Sequence, residues 1–354
     1  MNIHGKYILR CLDLAAKGLG NVAPNPMVGC VIVLDDKIIG EGYHQQYGEA
    51  HAEVNAIDSI ENKELLKKAT LYVNLEPCAH FGKTPPCADL IIQHQIPFVV
   101  IGAIDSNEKV SGKGIEKLKN AGVDVTSGIL QKECKQLNKR FFTYHEKKRP
   151  YIILKWAQTI DGFIDENRSI DQKPLQITNE ASNKLSHLWR SQEQAIMVGK
   201  NTALLDNPKL TVRNNITGKN PLRIVTDRNL SLPKDYFLLD KSTETIVFTA
   251  AEVVSEKNLE YVKLNFDEPL IPQLLNCLWE KNIQSILIEG GTQLLNSFIT
   301  NNCWDEARAF IAQINIKDGV NAPSLELHPN VIKDISGDKL LTYFNPDLRI
   351  ADII

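Results

Sequence analysis

His51, Cys78 and Cys87 can serve one purpose only if the chain brings three separated points together, and that demand constrains the fold more than any other feature of the sequence. A histidine nitrogen and two thiolates fill three corners of a Zn²⁺ tetrahedron and leave the fourth open, as a catalytic site requires and a closed structural site does not. Local patterns indicate how such a meeting is arranged. Thr70–Leu75 is a short, largely apolar run that reads as a buried strand, with Glu76-Pro77-Cys78 at its end, so Cys78 is expected at a sheet edge. Cys87 follows Pro85-Pro86 and opens an amphipathic stretch at 88–92; His51 opens another at 54–57. Two ligands therefore belong in the first turns of helices. The partial positive charge of a helix N-terminus favours the thiolate form that binds metal.

Glu53 lies two residues from His51, within reach of a water in the open position yet outside the ligand set. A metal that activates water beside a carboxylate that moves its protons suits hydrolytic removal of an amino group from a heterocycle. Neither half of the pattern is decisive alone. A lone H-x-E is common, and two cysteines with eight residues between them are looser than C-x-x-C. The bland alternative is a pair of buried thiols and a satisfied surface histidine; the agreement of ligand types, order and placement speaks against it.

The 354 residues exceed what one core comfortably buries, so two domains are expected. The boundary falls in the charged, proline-closed stretch at 146–150, giving units 1–148 and 149–354. With 40 basic and 43 acidic residues, a net charge of −3 and no basic stripe, a nucleic-acid partner is not favoured and a small-molecule substrate is. Seven cysteines at irregular spacings, two of them assigned to zinc, argue against a disulfide framework. No run approaches the ~18 apolar residues of a membrane span and no signal-peptide core opens the chain, so a cytoplasmic protein without a membrane partner is expected.

Strand and helix patterns alternate throughout. In the first half a helix over 4–17 precedes strands at 28–34 and 37–42 joined by Asp35-Asp36, then strands at 98–102 and 123–126 and helices at 115–121 and 132–142. Further strands are expected at 151–155, 195–198, 222–226, 245–249, 285–288 and 308–311, which makes the second half an α/β domain with a mostly parallel sheet. It has no G-x-G-x-x-G fingerprint. It does have Glu289-Gly290-Gly291-Thr292 between a strand and a helical stretch, a turn that suits phosphate binding but more often than not is merely a tight connection.

Three segments of the first half, Pro24-Asn25-Pro26-Met27-Val28-Gly29, Gly48-Glu49-Ala50-His51-Ala52-Glu53, and Glu76 to Cys87 with its insert between the cysteines, resemble the bifunctional deaminase/reductase of riboflavin biosynthesis. The second half is similar to the family's reductase domain at Lys155 to Gly162, Ile177-Thr178, Leu188-Trp189-Arg190, Asn201-Thr202, Leu205 to Arg213 and Glu289-Gly290-Gly291. The resemblance implies a three-layer, cytidine-deaminase-like domain followed by a dihydrofolate-reductase-like α/β domain. It implies Zn²⁺-dependent deamination of a ribosylated diaminopyrimidinone 5′-phosphate at pyrimidine C2, then NADPH-dependent reduction of the ribosyl group to ribityl. It places Asn25, His44 and Lys83 at the deaminase substrate, with His80 undecided between substrate contact and loop packing. It assigns Ala157, Gln176, Thr178, Thr202, Asp206, Gly291, Thr292, Gln293, Leu294, Leu295, Asn296 and Ser297 to NADPH. It assigns Pro174, Arg190, Leu210, Arg213 and Glu289 to the reductase substrate, with Asp206 and Glu289 flanking the reacting sugar. Many relatives carry an aromatic residue where this chain has Gln176, so an indole contact to the cofactor is replaced by an amide or lost. Assembly into a homo-oligomer is also expected. The competing readings are a single-activity zinc nucleotide deaminase with a non-catalytic C-terminal domain and a non-enzymatic zinc-stapled module; Glu53, which a structural site would not use, speaks against the second. Residues 329–354 carry no assignable motif.

Overall fold

The computed structural model describes residues 3–81, 85–107 and 111–348. The chain divides into two compact units, Met1–Lys148 and Arg149–Ile354.

The first unit runs α1 (Ile3–Ala15), β1 (Gly29–Leu34), β2 (Lys37–Tyr43), α2 (Ala52–Asp58), β3 (Thr70–Leu75), α3 (Cys87–Gln93), β4 (Phe98–Ala103), α4 (Lys113–Asn120), β5 (Asp124–Ser127), α5 (Gln131–Leu137) and α6 (Lys139–Lys147). Its five strands are ordered β2-β1-β3-β4-β5, with β1 antiparallel to both neighbours and β3, β4 and β5 parallel. Asp35 and Asp36 turn the first hairpin with φ of 49° and 58°, the doubly left-handed geometry that matches the twist of the strands it joins. The strands β1 and β3 are buried along nearly their whole length because both faces are covered. Ala52, Ala56 and Ile57 of α2 and Ala88 and Ile91 of α3 pack against Ile32, Leu71, Val73 and Ile101, while α1 packs on β1 and β3. The result is a three-layer arrangement.

Close approach sets the position of α2. A Cβ on Gly42 would lie 2.3 Å from the Ala56 nitrogen and 2.6 Å from the Ala52 carbonyl, so the helix rests directly on β2 and its start is fixed relative to the sheet. Two expectations need correction. The helix read over 132–142 is two helices, interrupted at Asn138, whose side chain is committed to Met27 rather than to solvent. Cys78 does not reach a lateral sheet edge; β3 is the middle strand, and Cys78 emerges beyond its C-terminal end.

The second unit runs β6 (Tyr151–Thr159), β7 (Phe163–Asp165), α7 (Glu180–Gln192), β8 (Ala195–Val198), α8 (Lys200–Asp206), β9 (Leu222–Thr226), β10 (Thr245–Thr249), β11 (Leu259–Lys263), α9 (Leu270–Glu280), β12 (Ser285–Glu289), α10 (Thr292–Thr300), β13 (Glu306–Ala312), β14 (Val320–Asn321), β15 (Val331–Ile335) and β16 (Asp338–Phe344). Nine strands form one sheet in the order β11-β10-β9-β8-β12-β6-β13-β16-β15, in which β16 alone is antiparallel to its neighbours. The β15–β16 hairpin accounts for most of the segment without a motif. The sequence conceals it because four of the five residues of β15 are exposed, which erases the apolar alternation of a buried strand.

Helices cover both faces of this sheet. On one, Leu274, Leu275 and Leu278 of α9 and Leu295 and Phe298 of α10 pack on Ile152, Leu154, Met197, Phe248 and Ile288. Truncating a ring as buried as Phe298 to alanine costs about 3–5 kcal/mol. On the other, Trp189 of α7 packs with Ile153, Leu287 and Phe310, and Ala203 of α8 with Ile196, Val198 and Val225. The C-terminal ends of β6, β8 and β12 are left to open on a cleft, where ligands gather in open α/β sheets.

Candidate active sites

In the first unit, His51 is the residue that caps α2, Cys87 is the first residue of α3, and Cys78 leaves the end of β3. His51 Nδ1 lies 3.3 Å from Cys87 Sγ and 3.6 Å from Cys78 Sγ. The three donor atoms fall within 4.8 Å of one another, and no other such cluster occurs among the described residues. Zinc bonds of about 2.0–2.3 Å in a tetrahedron imply ligand separations of roughly 3.4–3.8 Å, so the donor set and spacing fit Zn²⁺ without rearrangement. The α3 N-terminus acts on a different thiol from the one expected. The Cys87 N–H donates to Cys78 Sγ at 3.2 Å. Hydrogen bonds from the Cys87 thiol and from His51, working against burial, bring the Cys78 thiol down to about 4, while Cys87, the sulfur that shares its proton, is raised.

Glu53 is 3% exposed. Burial first, and then the charge of Cys78, push its carboxyl above the usual range, a bias that a cation in the site would oppose. His44 is buried as well and its pKa lowered by that burial, so the ring is neutral. Its Nδ1 donates to the Ala50 carbonyl at 3.0 Å, which leaves Nε2 to accept from Asn25 Nδ2 at 3.1 Å. The His44 and His51 rings meet edge to face at 5.4 Å, so Asn25 and His44 adjoin the metal ligands. Lys83 lies outside the described residues, and His80 is exposed.

Sequence reasoning missed the groups that hold these parts in place. Glu76 accepts backbone N–H groups from Gly114, Gly112, Ile115 and Asp105 at 2.9 to 3.3 Å, anchoring the residue that precedes Pro77-Cys78. Asn74 accepts from the Gly29 N–H at 2.7 Å and donates to the Met27 carbonyl at 3.0 Å. Asn138 grips the same Met27 through both its N–H and its carbonyl, each at 2.8 Å. These amides clamp the segment that carries Asn25. Adjacency in the motif was the available signal for Glu76; nothing in the sequence marks Asn138.

In the second unit a cleft of about 780 Å³ gathers Ala157, Gln176, Thr178, Thr202, Asp206, Gly291, Thr292, Gln293, Leu294, Arg190, Leu210 and Glu289 from separate segments of chain. Pro174, Arg213, Leu295, Asn296 and Ser297 do not line it. Leu295 points into the core and its N–H is bonded to the Gly291 carbonyl, because only the first turn of α10 opens on the cleft. Gln176 turns its amide back to the Thr178 carbonyl at 2.9 Å. Arg168, Lys200 and Thr226 also line the cleft and went unrecognised; Thr226 ends a strand at the sheet's C-terminal face, which was the signal for it.

The cofactor fit rests on the Gly290-Gly291 turn. A Cβ on Gly291 would stand 3.3 Å from Thr202 Oγ1, and one on Gly290 3.3 Å from Leu294, so the turn lies tight against α8 and α10 and presents a helix N-terminus to the cleft, which suits a phosphate anion. Glu289 receives a two-pronged contact from Arg190, Nε at 3.0 Å and Nη2 at 2.7 Å, with Lys155 Nζ at 3.9 Å. Burial pushes its carboxyl up, but Arg190 and Lys155 prevail and hold it at about 2. Asp206 behaves oppositely: burial raises its carboxyl despite an ion pair with Arg168.

Comparison with known proteins finds relatives of both units. Residues 1–103 match the cytidine and deoxycytidylate deaminase zinc-binding region, and residues 150–316 match the RibD C-terminal domain. The riboflavin biosynthesis protein RibD of Aquifex aeolicus is 41% identical over 91% of this chain and 90% of its own length. That of Bacillus amyloliquefaciens is 38% identical over 98% and 95%. The crystal structure of a diaminohydroxyphosphoribosylaminopyrimidine deaminase/5-amino-6-(5-phosphoribosylamino)uracil reductase from Thermotoga maritima superposes with a TM-score of 0.86 at 36% identity, covering 97% of this chain and 99% of that one. Acinetobacter baumannii RibD gives a TM-score of 0.87 at 31% identity, covering 97% and 98%. Among the described residues no helix is long and apolar enough to cross a membrane.

Proposed function

From the premise that this chain belongs to the RibD family, the bifunctional deaminase/reductases of riboflavin biosynthesis, we propose a division of labour between its two units. The chain is a bifunctional enzyme that uses Zn²⁺ and NADPH. It deaminates 2,5-diamino-6-ribosylamino-4(3H)-pyrimidinone 5′-phosphate and then reduces the ribosyl side chain to ribityl, giving 5-amino-6-ribitylamino-uracil 5′-phosphate. In our reading Met1–Lys148 carries the first reaction and Arg149–Ile354 the second. The observation that carries this reading is the convergence of His51, Cys78 and Cys87 beside a buried Glu53.

His51 Nδ1 and the two Sγ atoms would hold Zn²⁺, which would supply Lewis-acid activation of a water for attack on pyrimidine C2. Glu53 takes a proton from that water at a carboxylate oxygen and returns it to the departing amino group, which leaves as ammonia. Burial keeps this carboxyl away from bulk water, so a proton carried between the two transfers is not lost to solvent. Asn25 and His44 orient the ring, and Lys83 meets the phosphate.

Ala157, Gln176, Thr178, Thr202, Asp206 and the first turn of α10 would hold NADPH, which would supply the hydride. Asp206, whose carboxyl is raised, holds the proton that the reduced nitrogen requires. Glu289 stays anionic and fixes Arg190 and Lys155 about the sugar. Because Arg190 commits Nε and Nη2 to Glu289, the exposed Arg213 supplies the main forked donor to the substrate phosphate, with Leu210 beside it. Pro174 and the outer part of α10 contribute little in this scheme. We assign the protein to the cytoplasm, in keeping with the cysteines resolved as free thiols. We also expect a homo-oligomer, with the exposed edge strand β15 as a surface for self-association.

A coupled assay tests the division. Glu53→Gln should slow ammonia release from the diaminopyrimidinone by about 10²- to 10⁴-fold, yet oxidise NADPH at the wild-type rate when given the deaminated intermediate. Loss of both activities in that variant would refute separate sites.

A further inference from the structure

His187 does not line the reductase cleft, yet one bond ties it to the substrate end of that site. It sits on α7 one turn before Arg190, is 3% exposed, and its Nδ1 lies 3.1 Å from the backbone nitrogen of Arg213. An amide N–H can only donate, so Nδ1 is an unprotonated acceptor and the ring is neutral with its proton on Nε2. The surroundings enforce that state. Burial, then the positive charges of Arg190 on the same helix and Arg213 on the facing segment, outweigh Glu289 at the end of β12 and the Thr211 carbonyl, and bring the ring to about 4.

The segment that His187 grips needs an anchor. Residues 207–221 contain no helix or strand, and Leu210, Asn214 and Asn215 adopt left-handed φ of 52°, 62° and 59°. The Arg213 guanidinium bonds Thr211 Oγ1 at 3.0 Å, a contact within the same segment that cannot fix its direction. Three bonds tie the segment to α7, from Arg190 Nη1 to the Thr211 carbonyl at 3.4 Å, from Asn214 Nδ2 to Asn183 Oδ1 at 3.2 Å and from the Arg213 N–H to His187, and the last of these holds the Arg213 backbone itself.

We propose that His187 is a positioning residue of the reductase, a neutral acceptor that holds the Arg213 backbone so that its guanidinium meets the phosphate monoester of the substrate. The inference rests on the reading of Arg213 as a substrate contact. Asparagine can place an acceptor where Nδ1 stands; glutamine places its amide nearer the position of Nε2.

The experiment uses the full-length enzyme, reduction of the deaminated substrate followed by NADPH oxidation, and thermal melting of each variant. His187→Gln should raise KM for the substrate about tenfold, the scale of one lost hydrogen bond, while kcat and KM for NADPH stay within about twofold. His187→Asn should remain near wild type. Arg213→Gln should also raise the substrate KM, and the His187→Gln/Arg213→Gln double variant should be no worse than Arg213→Gln alone. An unchanged KM in His187→Gln beside a raised one in Arg213→Gln overturns the inference while sparing the role of Arg213. Equal damage from Asn and Gln overturns it as well. An unchanged KM in Arg213→Gln removes the substrate reading of Arg213 and the inference with it.

Discussion

Glu53 and Glu289 are both withdrawn from water, and their surroundings drive them in opposite directions. Glu53 faces burial and a thiolate charge, which favour its protonated form. Glu289 is buried too, but Arg190 grips both its oxygens and Lys155 stands behind, so it is anionic at any pH at which the enzyme works. The same side chain is thus biased towards its neutral form in one unit and held as a fixed charge in the other. Burial sets the penalty for charge, and the neighbours decide whether it is offset.

The sharpest way to break this contrast is to remove the metal. Chelation, or Cys87→Ser, should take ammonia release to background and leave reduction of the deaminated substrate intact, as measured by NADPH oxidation. Equal loss of both activities would mean that the two sites are not separate. Next in size, Glu53→Gln should retain zinc by metal analysis yet slow deamination by about 10²- to 10⁴-fold, the usual weight of a positioned acid/base.

Glu289→Gln should act otherwise. It leaves Arg190 and Lys155 without their counter-charge, so reduction should fall by at least about tenfold, or ~1.4 kcal/mol of transition-state stabilisation. The unit should also lose stability, by about 3 kcal/mol, as when one partner of a buried pair is removed. Glu53→Gln, which replaces a carboxylate disfavoured by its site, should leave the melting temperature of the zinc-free protein unchanged or higher. Melting shifts of the same sign in both variants would contradict the contrast between a lifted and a lowered carboxyl.

The two units also differ in how far their sites can be read from the sequence. The His51, Cys78 and Cys87 cluster was legible because metal binding restricts residue type, and each of the three stands beside a proline, a strand end or a helix start. Placement in the reductase unit was less so. Its cleft draws single residues from many segments, and an assignment carried along 291–297 ran past the one helical turn that opens on the cleft, into Leu295 in the core. The β15–β16 hairpin was invisible because an exposed strand has no apolar period. Asn138 was missed for a related reason: a buried amide bonded to distant backbone looks, in sequence, like any polar residue in a helix. Asn138→Ala would leave the Met27 N–H without its partner, at about 1–3 kcal/mol. Deamination should then show a KM raised roughly tenfold with zinc content unchanged, whereas reduction should not respond.

The smallest expected effect tests charge in the second unit through pH. The folded His187 ring takes a proton only near 4, against an ordinary value of 6.5. Between those values the unfolded chain binds more protons than the folded one, so this residue makes stability rise with pH across that window and contributes no slope above it. His187→Asn keeps an acceptor for the Arg213 N–H and removes the titration. Melting temperatures at pH 5 and pH 7.5, taken with zinc chelated so that metal release adds no slope of its own, should therefore differ less in the variant than in the wild type. The difference should be a few degrees, since about 1 kcal/mol shifts a unit of this size by roughly 2–4 °C. Parallel melting curves for the two proteins would show that the ring is already charged, or already free of Arg213, in the folded enzyme.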